Sequence, residues 1–172
     1  FNKKTDQTHF VLGFRSYDVY DKKNTALSVL AGVLGDGMSS RLFHKLCEEM
    51  GVCYYVRANG DAYTDHGVFQ ISSGVDNTRV KEVITAILNE LKKLKDELIS
   101  EKELKDGKEQ AIGNEKVESE DSAGSAANLI FEEVAGDAHE NYLYEKRINS
   151  VKLEDIKKLG KFVDYSYFVL GP

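Results

Sequence analysis

Residues Leu34–Tyr54 read LGDGMSSRLFHKLCEEMGVCY, a pattern that predicts a turn between two helices and the start of a strand after them. Gly35-Asp36-Gly37 breaks the helix that precedes it, because two glycines around an aspartate favour a turn. Ser39 or Ser40 can cap a second helix that runs to about Met50, and Gly51 stands where a helix-terminating glycine belongs. The buried side of this second helix is predicted to contain Leu42, Phe43 and Leu46.

Alternating and helical patterns extend outward from this stretch. Period-two alternation and turn residues predict four strands, at Thr8–Ser16, Val52–Gly60, Gly67–Val75 and Tyr165–Leu170. Apolar residues spaced three and four apart predict further helices, at Lys22–Leu34, Asn77–Leu94, Ser100 to about Glu118, Ser122–Ala135, Glu140–Asn149 and Leu153–Phe162. Ser100 with Glu103 forms a capping box at the start of a helix so polar that most of it must face water.

The order of these elements predicts an α+β fold. The second and third strands are joined by a short polar bend, which favours an antiparallel hairpin, and the helices come in blocks. We therefore expect one domain over residues 1–172, with helices packed on one face of a mainly antiparallel sheet. Its predicted core contains Phe10, Leu12, Phe14, Leu30, Leu42, Phe43, Ile84, Ile87, Leu91 and Phe131.

Composition excludes several classes of function. The chain has 172 residues, of which 41% are hydrophobic and 30% charged, and its formal net charge is -6. An acidic chain with scattered cations argues against nucleic-acid binding, and no apolar run approaches the roughly 20 residues of a membrane span. We expect a soluble protein of a bacterial-type cytoplasm or periplasm, and a start at Phe1 suggests a piece of a longer chain.

The two cysteines, Cys47 and Cys53, fall on the second helix and on the strand after it. A disulfide between them is compatible with this placement. Its geometry is demanding, however, so we expect two free thiols.

No catalytic residue or metal ligand stands out. The four histidines are His9, His44, His66 and His139, and no two are spaced as in a zinc-binding helix motif. His44, Cys47 and Glu48 share a helix face and could hold a metal, but no fourth ligand is implied, so we interpret them as a polar face. A Gly-x-Ser-x-Gly elbow is absent, and the glycine-rich turn follows a helix, whereas dinucleotide sites need a strand there.

The segment Gly37–Phe43 resembles the Gly-Met-Ser-Ser-Arg-Leu-Phe signature of the insulinase-like (pitrilysin-type) zinc proteases, which include mitochondrial processing peptidase. The spacing of Gly51 and Tyr54 also fits that family. Looser similarity runs nearly from end to end of the chain. The part that matches is the C-terminal half, which lacks the zinc ligands and is called the inactive domain.

The resemblance implies that two homologous α+β halves clamp a peptide between them. The other half would carry a His-x-x-Glu-His motif with zinc, so no cofactor is expected in this chain. Tyr54 matches a substrate-contacting tyrosine of the family, while the position of the family's arginine falls on Cys47. Arg57 or Arg41 could replace that arginine. Gly35 and Gly37 match the glycine-rich loop that contacts the substrate in a processing-peptidase subunit.

These observations favour a non-catalytic, substrate-cleft half of a two-part zinc metallopeptidase. The implied partners are a zinc-bearing half, a peptide substrate and, alternatively, a second copy of the chain, because a separated half should expose an apolar surface. A catalytically dead scaffold with the same fold is the alternative function. An unrelated α+β enzyme with an unrecognised site is the third.

Overall fold

Four antiparallel strands form one sheet, in the order β2-β3-β1-β4. A computed structural model describes residues 5–97, 99–159, 162 and 164–172. The strands are β1 (Thr8–Ser16), β2 (Cys53–Ala62), β3 (Gly67–Val75) and β4 (Tyr165–Leu170). β2 and β3 form the predicted hairpin, and β1 joins β3 to β4 with antiparallel pairing on both sides. The predicted α+β class is confirmed.

One face of the sheet carries the core, as the alternation predicts. In β1 the buried apolar residues are Phe10, Leu12 and Phe14, while Val11 and Gly13 between them lie on the opposite face. Phe69 and Ile71 of β3 lie opposite Phe14 and Leu12, and both are fully buried. The apolar face of the sheet is therefore continuous across its centre.

The helices lie on this apolar face. They are α1 (Lys23–Leu34), α2 (Arg41–Phe43), α3 (Val80–Asp96), α4 (Glu101–Glu118), α5 (Ser122–Ala135), α6 (Tyr144–Ser150) and α7 (Leu153–Leu159). α2 continues into a π-helical segment at His44–Glu49, and a 3-10 turn at Ala138–Leu143 leads into α6. The single regular helices expected up to Met50 and over Glu140–Asn149 are thus each split. The end of the helix predicted to reach Phe162 falls on residues 160 and 161, which lie outside the described residues.

α1 is the central element of the helix layer. It packs against β2 on one side and against α4 on another, and every residue from Val29 to Leu34 is buried. The backbones of α1 and α4 meet where a glycine faces a glycine. A Cβ atom on Gly32 would lie 2.6 Å from the carbonyl oxygen of Gly107, so only glycines allow this approach.

Most of the predicted core is confirmed. Seven of its ten residues are buried, and Phe43 and Ile84 are partly buried against the same cluster. Phe131 is the exception, because 45% of its surface is exposed. α5 contacts mainly the 3-10 turn and has no buried residue, so the apolar stripe that predicted burial of Phe131 instead faces outward with Ile130 and Val134.

No helix within the described residues is both long enough and apolar enough to cross a membrane.

The contact between α1 and α4 can be tested with one substitution at two positions of α4. Gly107→Ala places a methyl group 2.6 Å from Val33 Cγ2 and 2.9 Å from the Val29 carbonyl oxygen, so we expect the free energy of unfolding to fall by about 1–3 kcal/mol. Gly113→Ala is the matched control, because a Cβ there meets no atom within 4 Å. It should leave stability unchanged or raise it by about 0.5–1 kcal/mol. Denaturant unfolding that gave equal effects for both variants would contradict this packing.

Candidate functional site

Tyr54 lies at an irregularity at the start of β2. Cys53 pairs with Val75 and Tyr55 pairs with Gly74, so Tyr54 is an extra residue without a partner across the ladder. Such a β-bulge re-aims a side chain relative to the regular alternation. The Tyr54 side chain is 63% exposed, although the residues around it are part of the sheet.

Arg57 lies three residues further along the same strand. It pairs with Ser72 of β3, which in turn pairs with Val11 of β1, so Arg57 belongs to the face of the sheet that points away from the helices. Its side chain is exposed. β2 therefore presents two of the predicted substrate-contacting residues, Tyr54 and Arg57, to solvent within four positions.

The glycine-rich turn lies against the outer edge of β2, next to Arg57. The Gly35 carbonyl oxygen accepts a hydrogen bond from the Ala58 amide at 3.2 Å, and a Cβ on Gly35 would lie 3.0 Å from that amide nitrogen. Gly37 has a φ of 99°, a conformation that favours glycine, and a Cβ there would lie 2.7 Å from Gln110 Oε1 of α4. The turn is thus held between β2 and α4.

α4 also fixes the polar side chain of this turn. Asn114 donates a hydrogen bond to the Asp36 carboxylate, and Gln110 donates one to Asn114 at 3.0 Å. Between this turn and α2, Met38 and Ser39 are exposed and Ser40 is buried. The structure therefore brings Gly35 beside Arg57, while it packs Gly37 against α4.

Arg41 is engaged in an ion pair inside the helix layer. Its guanidinium donates two hydrogen bonds to Glu103, one of them from Nη2 at 3.1 Å. Glu103 also completes the predicted capping box, in which its carboxylate accepts a hydrogen bond from the Ser100 amide and its own backbone amide donates one to Ser100 Oγ. The hydrogen bond from Arg41 lowers the pKa of Glu103 to about 2. Arg41 thereby joins α2 to α4.

The prediction of free thiols is wrong, because Cys47 and Cys53 form a disulfide. Gly51, with a φ of 59°, reverses the chain between them and brings their Cα atoms to 5.0 Å. The sequence indicated which elements the two cysteines occupy, but not how closely the turn would bring those elements together.

The disulfide also removes Cys47 from the possible metal-binding face. A disulfide sulfur is not a thiolate, and thiolates are the form in which cysteine binds metals. His44 Nε2 lies 3.5 Å from Glu48, and His44 Nδ1 lies 3.3 Å from Glu49. Within residues 5–97, 99–159, 162 and 164–172, no cluster of three or more His, Cys, Asp or Glu side chains could hold a metal ion.

A polar pair next to Tyr54 was not predicted from the sequence. His9 Nδ1 and the Tyr55 hydroxyl lie 3.2 Å apart, and the two rings are stacked. Both residues pair with Gly74 from opposite sides, and its missing side chain leaves room for the Tyr55 ring. The period-two pattern could have placed His9 and Tyr55 on one face, but only the register of three strands brings them together.

A sequence model of the peptidase M16 inactive domain matches residues 1–111. The chain belongs to this family. The resemblance to insulinase-like zinc proteases, and to the half without zinc ligands, is therefore confirmed.

Similar proteins extend the match over this whole M16 inactive domain. The uncharacterized zinc protease YmxG of Bacillus subtilis is 31% identical, over 99% of this chain and 42% of YmxG. A protease from Helicobacter pylori has a TM-score of 0.85 at 22% identity, covering 100% of this chain and 43% of that one. The inactive peptidase domain of a putative zinc protease from Bordetella parapertussis has a TM-score of 0.82 at 15% identity, with 100% and 94% covered.

The chain therefore spans less than half the length of YmxG and of the Helicobacter pylori protease. The Bordetella parapertussis structure shows the same fold in a chain of similar extent.

The Arg41–Glu103 pair makes the free energy of unfolding of this M16 inactive domain depend on pH. The pKa of Glu103 is lowered in the folded state, so its stabilising contribution is complete above about pH 4.5 and is lost as the pH falls toward 2. Glu103→Gln should lower the free energy of unfolding by about 1.5 kcal/mol at pH 7, and the difference from wild type should shrink below pH 4.5. Glu101→Gln, an exposed neighbour in the same helical turn, is the control. Unfolding curves whose difference did not change with pH would rule out the charged pair as the cause.

Proposed function

We propose that this M16 inactive domain is the substrate-cleft half of a two-part zinc metallopeptidase. It would position a peptide or an unfolded protein for cleavage by a zinc-bearing half. The observation that carries the proposal is the bulge in β2, which exposes Tyr54 at the point where the family's substrate-contacting tyrosine is expected. Arg57, exposed on the same strand, would supply a cation to the same substrate.

The zinc-bearing half would be a separate domain or subunit. YmxG, whose name describes it as a zinc protease, is more than twice as long as the part that this chain matches. In the proposed arrangement, the remaining part of such a protein holds the zinc ion and the general base. This chain would contribute contacts to the substrate, but neither a zinc ligand nor the general base.

Tyr54 would act on the reacting carbonyl group. When water attacks the scissile peptide bond, negative charge develops on the carbonyl oxygen, and a hydroxyl fixed beside it donates a hydrogen bond that strengthens as the charge grows. A side chain of this kind contributes to turnover more than to binding. The Arg57 guanidinium would bind carbonyl or carboxylate oxygens of the peptide, because it carries several donors in one plane.

A catalytically dead scaffold is the second candidate, and the disulfide is the observation that favours it. Cys47 stands where active relatives are expected to carry an arginine, and as half of a disulfide it offers no charge. The two functions differ in one property, which is whether this chain raises the cleavage rate of a zinc-bearing half.

The decisive experiment joins the chain to a zinc-bearing M16 half and measures peptide cleavage. We expect the wild-type chain to raise turnover above that of the zinc-bearing half alone. Tyr54→Phe should lower kcat by about a hundredfold and change KM little, because it removes one donor to the oxyanion.

Tyr63→Phe is the matched control. Tyr63 follows the other end of β2, and its side chain is 51% exposed, so the same hydroxyl is removed from a comparable surface. Equal turnover for the two variants would rule out the role of Tyr54. A wild-type chain that binds the zinc-bearing half without raising turnover would support the scaffold.

A further inference from the structure

The Cys47–Cys53 disulfide joins the π-helical segment to the first residue of β2, immediately before Tyr54. On the other side of Tyr54, the ladder fixes Tyr55 opposite Gly74, and Ser73 Oγ donates to the Tyr55 carbonyl oxygen at 2.7 Å. Tyr54 is thus the one residue between a covalent anchor and a hydrogen-bonded anchor.

Val52, the residue directly before this anchor, is buried in the hydrophobic core, and its backbone makes two hydrogen bonds. The Val52 amide donates to the Leu46 carbonyl oxygen at 2.9 Å, and the Asp76 amide donates to the Val52 carbonyl oxygen at 3.4 Å. The second bond is long, and β2 is an edge strand of the described sheet, with β3 as its partner. The beginning of β2 is therefore held by core packing of Val52 and by pairing with one neighbouring strand.

The bulge has a nearby alternative. If it moved by one residue toward Gly51, Tyr54 would pair with Val75 and Cys53 would become the extra residue. A shift of one residue reverses the side to which a strand residue points. Tyr54 would then take the position of Cys53, which packs against the hydrophobic core, and would leave the exposed site. The bond to Cys47 prevents this shift, because it holds Cys53 opposite Val75.

We infer that the Cys47–Cys53 disulfide is a positioning element for Tyr54, which fixes the bulge at the residue that presents the tyrosine to the cleft. The part of this inference that concerns catalysis rests on the proposed function. The covalent bond sets the register of β2 directly. A charged side chain at position 47 could not do this. Cys47 and Cys53 contact no substrate in this scheme and act only through Tyr54.

The position of Tyr54 can be followed without any activity, by ¹⁹F NMR of the chain labelled with 3-fluorotyrosine. Tyr54→Phe assigns the Tyr54 signal among the nine tyrosines. Reduction with dithiothreitol transfers one hydrogen atom to each cysteine sulfur and converts the reagent into its own disulfide. We expect reduction, and the Cys47→Ser/Cys53→Ser variant, to shift or broaden the Tyr54 signal and to speed amide exchange at residues 52–56 by about tenfold or more.

A variant that is destabilised elsewhere in the core separates positioning of Tyr54 from general loosening of the fold. Val83→Ala removes two methyl groups from a fully buried residue of α3, an element that neither cysteine occupies. The NMR spectra of Val83→Ala and of the double serine variant are compared at temperatures that lie equally far below the midpoint of thermal unfolding of each variant. A Tyr54 signal that is unchanged in the double serine variant, or that changes equally in Val83→Ala, would overturn the inference.

Activity adds an independent measurement. In the assay with a zinc-bearing half, the double serine substitution should lower kcat by about tenfold or more at nearly constant KM, and it should have little further effect once Tyr54 is Phe. A loss of the same size in both backgrounds would contradict action through Tyr54. If the wild-type chain raised no cleavage at all, the proposed function would fail, while the NMR result would still decide whether the disulfide positions Tyr54.

Discussion

The helix layer is built around the close contact between Gly32 of α1 and Gly107 of α4. This contact allows α4 to approach the backbone of α1, so that α1 is buried between α4 and the sheet. Because α1 is fixed in this way, the turn that follows it reaches the edge of β2, where Gly35 bonds to Ala58. The placement of the glycine-rich turn beside β2 is therefore a consequence of helix packing.

Regular elements could be predicted because their signals are local. β1, β3, β4 and α5 have the bounds that alternation and helical spacing indicate. The irregular elements could not be predicted in the same way. Over six residues the spacing of apolar side chains does not distinguish a π-helical segment from an α-helix, and the bulge in β2 is defined only by pairing with β3. Phe131 shows a further limit, since an apolar stripe identifies one face of a helix but not whether another element covers it.

The candidate site was predictable to a similar extent. The resemblance of one stretch to a protease family indicated Tyr54 and Arg57 as candidates, and both are exposed, while their contact with a substrate stays a prediction. What the sequence could not provide were contacts between distant residues. The engagement of Arg41 by Glu103, the disulfide and the Tyr55–His9 pair all depend on which elements become neighbours.

The bulge at Tyr54 also has an evolutionary consequence. Because this residue has no partner in the ladder, the pairs on either side of it do not require its side chain, and the sheet does not constrain its identity. Under the proposed function, natural selection on folding and natural selection on chemistry would act on different residues of the same strand. A lineage without need of peptide cleavage could replace this tyrosine without losing a pair of the ladder, and a single codon change would restore it. Relatives with and without activity would then share one backbone and differ at a position that makes no ladder pair.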